Sequence, residues 1–218
     1  MAKVQIGNVY PSDEYLLARC APAGYGLGVG DRVITDFDQI DFNGFFNVAG
    51  ASNAPVYNAA GNTYDYGWGM AMSRHGEYVA VVYYPCIYGV SSPIRRIKVS
   101  GVWQPWEWEN PPMKEGVEYR TTARHDGKVV YTKLVNWNTL PNNTEGSIMC
   151  ATTGATAMVD HSITTKSADG KTFCNASMMS GVTSSRAIVD NGNIGLYITT
   201  NTDMSKVSAK CTVWYTKE

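Results

Sequence analysis

The residues best placed to do acid–base chemistry are Glu107 and Glu109, two apart in the stretch WEWE. On a strand they would share a face at roughly 6 to 7 Å. That lies within the ~5 to 10 Å that glycoside hydrolysis asks of its two carboxylates. They stand just before Pro111-Pro112, however, at a strand end where solvated glutamate is ordinary. A nucleophilic serine finds no Gly-x-Ser-x-Gly elbow, and the pieces GVSSP and GVTSS read as turns, where serine bonds the local backbone. His75, His125 and His161 are far apart and form no metal-ligand pair. The chain is therefore expected to be a protein without catalytic residues, cofactor or metal. Asp160-His161 remains as a candidate polar contact for a sugar.

The aromatic residues carry more information. Trp103, Trp106 and Trp108 cluster, and Tyr64, Tyr66 and Trp68 alternate with Asp65 and Gly67. Sugar faces are apolar and stack on aromatic rings, while carboxylates, amides and guanidiniums take the hydroxyls. Tyr66, Trp68, Asp65 and Arg74 form one candidate glycan-binding set. Trp137, Asp160 and His161 are the candidates further along the chain. Trp103 and Trp106 are expected instead to plug the end of a small β domain. The composition agrees with a binder or with any β protein: 14 Tyr, 6 Trp and only 17% charged residues, against ~25% in typical domains.

The elements that must position these side chains read as short strands with turns between them, an all-β sandwich or barrel with few short helices. YRTTARHDGKVVYTK (119–133) is two alternating runs around Asp126-Gly127, a strong hairpin signal. Asp190-Asn191-Gly192-Asn193 is another turn. Thr35 or Asp36 should cap a helical turn within 35–41, and Ser12 a short helix with YLLARC (15–20) as its body. Residues 21–30 are Gly-rich and read as a connector. Asn110-Pro111-Pro112 breaks the ladder. The expected organisation is 1–30 connector, 31–112 first β domain, 113–140 connecting hairpin, and 141–218 C-terminal β domain.

Charge is balanced, 18 basic against 19 acidic residues, which offers no basic patch for nucleic acid. No apolar stretch approaches the ~20 residues of a membrane span, and the start does not resemble a secretory signal. Five cysteines without a Cys-x-x-Cys spacing suggest buried, reduced thiols in a chain made in a cytoplasm.

Two stretches resemble a known family. ITDFDQIDFNGFFNV, the NAP and GWGMAMS pieces, EYVAVVYY and the closing IRRIKVSGVWQPWEW are similar to the knob domain of pyocin-type and phage tail fibres; Gly101, Trp103 and Trp106 match its closing motif. EYRTTARHDGKVVYTKLVNWNTLPN and the ending CTVWYTKE resemble elements of phage tail and receptor-binding proteins. Ala123 and His125 depart from that pattern. The resemblance implies a distal tail-fibre, receptor-binding piece on the virion tail, assembled in the bacterial cytoplasm. It also implies a homotrimer that meets other tail or baseplate proteins and recognises a bacterial cell-surface glycan. The family has no fixed sugar-binding motif, so the candidate site residues rest on chemistry alone.

Overall fold

The computed structural model describes residues 32–86, 92–166, 173–176 and 180–218. The helix expected after Ser12 and the Gly-rich connector lie outside the described residues. The architecture is all-β, and the chain divides into two compact units. Trp106 is the last residue of the first, and Glu107 opens the second; residues 57–62 group with the second.

The first unit contains β1 (Val33–Asp36), β2 (Gly44–Ser52), β3 (Tyr66–Arg74), β4 (Tyr78–Pro85), β5 (Ile94–Val99) and β6 (Val102–Trp103). β1 pairs parallel with β2, and β2 to β6 then follow as an antiparallel meander. The expected helical turn is a 3-10 turn, Phe37–Gln39, capped by Asp36. The Asp36 carboxylate accepts from the Asn53 side chain at 2.8 Å and from the Asp38 amide at 2.9 Å. These bonds hold its pKa below the usual carboxylate value. Between β5 and β6, Ser100 and Gly101 both have positive φ, the two-residue turn that matches strand twist.

The core of this unit is unusual in where its bulk comes from. β3 contributes Gly67, Gly69 and Ala71 to the inner face, while β2 and β4 contribute Phe46, Val48, Val79, Val81 and Tyr83. A Cβ on Gly69 would lie 2.4 Å from Cζ of Phe46 and 2.7 Å from the Val82 carbonyl oxygen. The Phe46 ring thus fills the space that a side chain on the opposing β3 residue would need. Phe37 packs edge-on against Tyr83 and Trp106, with centroids 5.0 and 4.9 Å apart. The Tyr83 hydroxyl lies within hydrogen-bond reach of the Tyr64 and Tyr66 carbonyls, so burial of this ring leaves no polar atom unsatisfied.

The second unit contains β7 (Glu107–Trp108), β8 (Glu118–His125), β9 (Lys128–Trp137), β10 (Glu145–Cys150), β11 (Ala155–Lys166), β12 (Phe173–Asn175), β13 (Val182–Asp190), β14 (Asn193–Thr200) and β15 (Ser208–Lys217). One sheet runs β7-β8-β9-β15-β11-β12 and the other β10-β14-β13. They form a sandwich, not a barrel. Trp137, Leu140, Cys150, Ile163, Ile194, Leu196, Ile198, Cys211, Val213 and Tyr215 fill its core. The Asp126-Gly127 hairpin is β8–β9, with φ of 50° and 76° at its two turn residues. β9 also pairs with β15, so the hairpin is an integral part of this sheet. Asn191-Gly192 makes the same kind of turn between β13 and β14.

Cys150 and Cys211 are buried free thiols, as expected; Cys86 differs, being exposed just beyond β4. Burial raises the Cys150 pKa to about 11 and that of Cys211 to about 12, from an ordinary value of 9.0. Both thiols stay neutral in the folded chain to a higher pH than in the unfolded one. Their contribution to stability is thus complete below about pH 9 and is lost as pH rises through the folded values. The urea midpoint should fall between about pH 8 and about pH 11, and Cys211→Ala should flatten that fall. A midpoint independent of pH over this range would contradict the assignment. Gly69→Ala should lower stability by about 1 to 3 kcal/mol, read as a lower melting temperature, because the Phe46 ring cannot move without opening the core.

Candidate functional site

Because β3 turns its small residues inward, it turns its large ones outward. Tyr66 and Trp68 are 56% and 53% exposed, and Met72 and Arg74 are exposed further along the same face. Cross-strand register extends the surface. Asn47 and Tyr84 flank Trp68, Phe45 and Val82 flank Met70, and Tyr78 faces Arg74. On β5, Ile97 lies opposite Ala80 and Arg95 opposite Val82. Directly opposed side chains stand about 4.5 to 5.5 Å apart at Cβ. Four strands at ~4.8 Å spacing and eight steps at ~3.3 Å give a face of roughly 14 by 26 Å. Phe45, Tyr78, Tyr84, Ile97 and Val99 are all exposed on it.

This face has two ends of different character. Around Trp68 it offers the rings of Tyr66 and Tyr84, phenol hydroxyls and the Asn47 amide. Around Met72 it is aliphatic, with a shallow groove of about 390 Å³ whose lining includes Met72, Arg74, Tyr78 and Ile97. The largest apolar patch of a monomer spans about 300 to 600 Å² and is often a functional surface. The chemistry of the β3 face is contact area plus a few hydrogen-bonding groups, suited to stacking.

The candidate residues fall into distinct places. Tyr66 and Trp68 share the aromatic end. Arg74 shares the face but sits six residues along β3, ~20 Å from Trp68. Asp65 is half-exposed just before β3, and its carbonyl accepts from the Gly50 and Ala51 amides. Tyr64, which alternates with Tyr66 in sequence, is buried.

Trp137 does not take part in an open groove: it is 7% exposed and packs in the core of the second unit. It ends β9 with its ring on the inner face, where the strand's alternation places it. Asp160 and His161 are neighbours on β11 and point to opposite faces, so they do not converge on one ligand. The Asp160 carboxylate accepts from the His161 amide at 2.7 Å. Asp160 lies opposite Trp214 on β15, an aromatic partner that sequence spacing gave no reason to choose.

Trp103, Trp106 and Glu107 are each tied into the fold by bonds of their own. The indole N–H of Trp103 donates to the Asp38 carbonyl at 2.9 Å, and that of Trp106 to the Asn53 carbonyl at 3.0 Å. The Arg96 guanidinium lies over both rings at 5.0 and 5.4 Å and pairs with Asp38 at 2.6 Å. Glu107 is held by Arg120 and Arg124 at 3.0 and 2.7 Å. No group of three or more His, Cys, Asp or Glu among the described residues could hold a metal ion. No helix among them is long and apolar enough to cross a membrane.

No protein-family model matches the sequence, and no curated protein matches it. Among solved structures the chain is similar to an N-truncated R2-type pyocin tail fibre, at 11% identity over 89% of this chain and 98% of that one, with a TM-score of 0.29. A C-terminal part of the Pseudomonas aeruginosa R1 pyocin fibre gives 12% identity over 89% and 68%, with a TM-score of 0.26. The collagen-binding domain of the Erysipelothrix rhusiopathiae surface protein RspB gives 12% over 83% and 71%, with a TM-score of 0.32. Similarity at this level assigns neither a family nor an activity.

The exposed rings are surplus to folding. Trp68→Ala should change stability by no more than about 0.5 kcal/mol, whereas Trp137→Ala should cost about 3 to 5 kcal/mol. Equal losses in chemical denaturation would show that the Trp68 face is covered in solution.

Proposed function

We propose that this chain is a receptor-binding piece of a phage or phage-like tail fibre that binds a bacterial surface glycan without catalysis. The observation that carries this reading is the outward aromatic end of the β3 face, where Trp68, Tyr66 and Tyr84 lie beside the Asn47 amide. Stacking rings with a few neutral polar groups are what a sugar face and its hydroxyls require. The resemblance of 34–108 and 118–142 to tail-fibre elements supports the same reading. In this proposal the protein works on the virion tail as a homotrimer joined to other tail proteins. Repetition converts weak single sites into avid attachment.

A depolymerase is the less favoured reading, because Glu107 is committed to Arg120 and Arg124. A structural assembly role has one observation in its favour. Met72, Ile97, Val99 and Val102 are exposed aliphatics, which suit contact with protein better than contact with sugar.

The test is binding of the purified chain to candidate host cells and to their extracted envelope glycan, with sizing of both protein and glycan. Saturable binding of intact glycan, weakened about tenfold by Trp68→Ala, is the expected result, by analogy with a ring that stacks a nucleic-acid base, worth on the order of 1 to 3 kcal/mol. Binding to no envelope fraction would favour assembly. Release of shorter fragments would overturn the non-catalytic reading.

A further inference from the structure

Resting on the reading that the Trp68 end of the β3 face holds a sugar, we infer that the ligand is a sugar carrying an alkyl or acyl chain, and that the chain lies in the aliphatic groove further along the same face. Register builds the groove. Met72, Ala80 and Ile97 are directly opposed on β3, β4 and β5. Ala80 offers only a methyl group, while Met72 and Ile97 rise on either side of it, 51% and 46% exposed. The middle strand is thus low and its neighbours are high, which makes a trough along β4. Tyr78, the next residue of β4 on this face, closes one end, its hydroxyl within hydrogen-bond reach of the Ser100 hydroxyl at 3.1 Å. In the other direction Val82 and Met70 continue the floor and one wall toward Tyr84 and Trp68. Arg95 stands opposite Val82 on the β5 side, where a long cationic side chain can lay its apolar stem along the surface.

The width of the trough selects its occupant. Met72 and Ile97 are two strand spacings apart, ~9.6 Å. A carbon midway between them lies ~4.8 Å from each Cβ, close to the contact distance of about 4.0 to 4.5 Å between apolar groups. That is room for one polymethylene chain. A helix is ~10 Å across and would ride on the walls. The trough is also continuous with the stacking rings. Ala80 to Tyr84 is four residues, ~13 Å, which at ~1.2 Å of reach per single bond takes about ten carbons. Sugar hydroxyls placed over Met70, Val82 and Ala80 would meet apolar side chains where they need partners, whereas methylene groups gain from the same contact. A chain on the sugar therefore uses the aliphatic end of the face, which a sugar alone leaves uncovered.

The experiment is titration of the isotope-labelled full chain with methyl, hexyl, decyl and dodecyl maltoside below their micelle concentrations, followed by amide chemical shifts. Affinity should rise at least tenfold from methyl to decyl, a gain that about two fully buried methylenes already supply, and level off beyond it. The shifts should spread from Trp68 toward Ala80 as the chain lengthens. Ala80→Leu fills the trough and should bring decyl maltoside down to the affinity of methyl maltoside, and the rest of its spectrum reports whether it has folded. Trp68→Ala should weaken both about tenfold. Methyl and decyl maltoside binding alike in the unaltered chain, or a chain gain that survives Ala80→Leu, would overturn this inference and leave the stacked sugar in place. Decyl phosphocholine binding as tightly as decyl maltoside, or Trp68→Ala without effect on methyl maltoside, would overturn the sugar reading and this inference with it. A change of oligomeric state in Ala80→Leu, read by sedimentation, would assign the groove to a second copy of the chain and overturn the inference as well.

Discussion

The first unit depends on the close approach that Gly67, Gly69 and Ala71 permit along β3. A strand sends alternate residues to opposite faces, so a strand with small residues inside must carry its bulk outside. Phe46 from β2 and Tyr83 from β4 fill the vacated space, and the core closes without any large side chain from β3. The same arrangement that packs the interior therefore exports Tyr66, Trp68, Met70 and Met72. Stability and surface chemistry here are two sides of one alternation. A β3 with valine or leucine inside and threonine or lysine outside would be a more conventional strand, but it would present no aromatic surface.

The second unit answers a different problem, that of placing charge within a sheet that closes a core. Glu118 accepts from the Tyr215 hydroxyl and pairs with Lys217 at 2.7 Å. The Tyr215 ring stacks on Tyr131, and the Lys217 ammonium lies 5.0 Å from the centre of the Tyr131 ring. Burial, followed by the Glu118 bond, pushes the Tyr215 pKa well above that of a free phenol, so the hydroxyl remains a donor. Removing Glu118 would leave a buried hydroxyl and a half-buried ammonium without their acceptor, a loss larger than a surface ion pair implies. Glu107 with its two arginines follows the same pattern. The best-placed acids of this unit bind its own strands together.

Local signals in the sequence located what local physics determines. Asp126-Gly127 and Asn191-Gly192 need left-handed backbone, and both form tight turns. Asp36 was legible as a cap because an extended Asp before a helical turn satisfies an otherwise unpaired amide. Tyr66 and Trp68 were legible because glycine alternates with them. Phe45, Tyr84 and Ile97 were not, since they join the face only through register with other strands. Trp137 illustrates the converse: its parity is visible in sequence, but which face of β9 meets the second sheet is not. The row Met72–Ala80–Ile97 is likewise assembled only by the pairing of β4 with both β3 and β5.

The flatness of the β3 face would also constrain any recognition by it. A flat ring face would contact only a dozen or so ligand atoms. At about 0.3 kcal/mol per atom such contacts give only millimolar-scale affinity. Raising it within one site would require a deeper cavity, and β3 has no bulk on its inner side to give up for one. Raising it by repetition requires only more copies, at effective concentrations that are millimolar for closely tethered sites. A polymeric ligand that repeats one unit would be discriminated by such a shallow face through the number of simultaneous contacts. Release would then proceed one weak contact at a time, and attachment would stay reversible until several contacts were made.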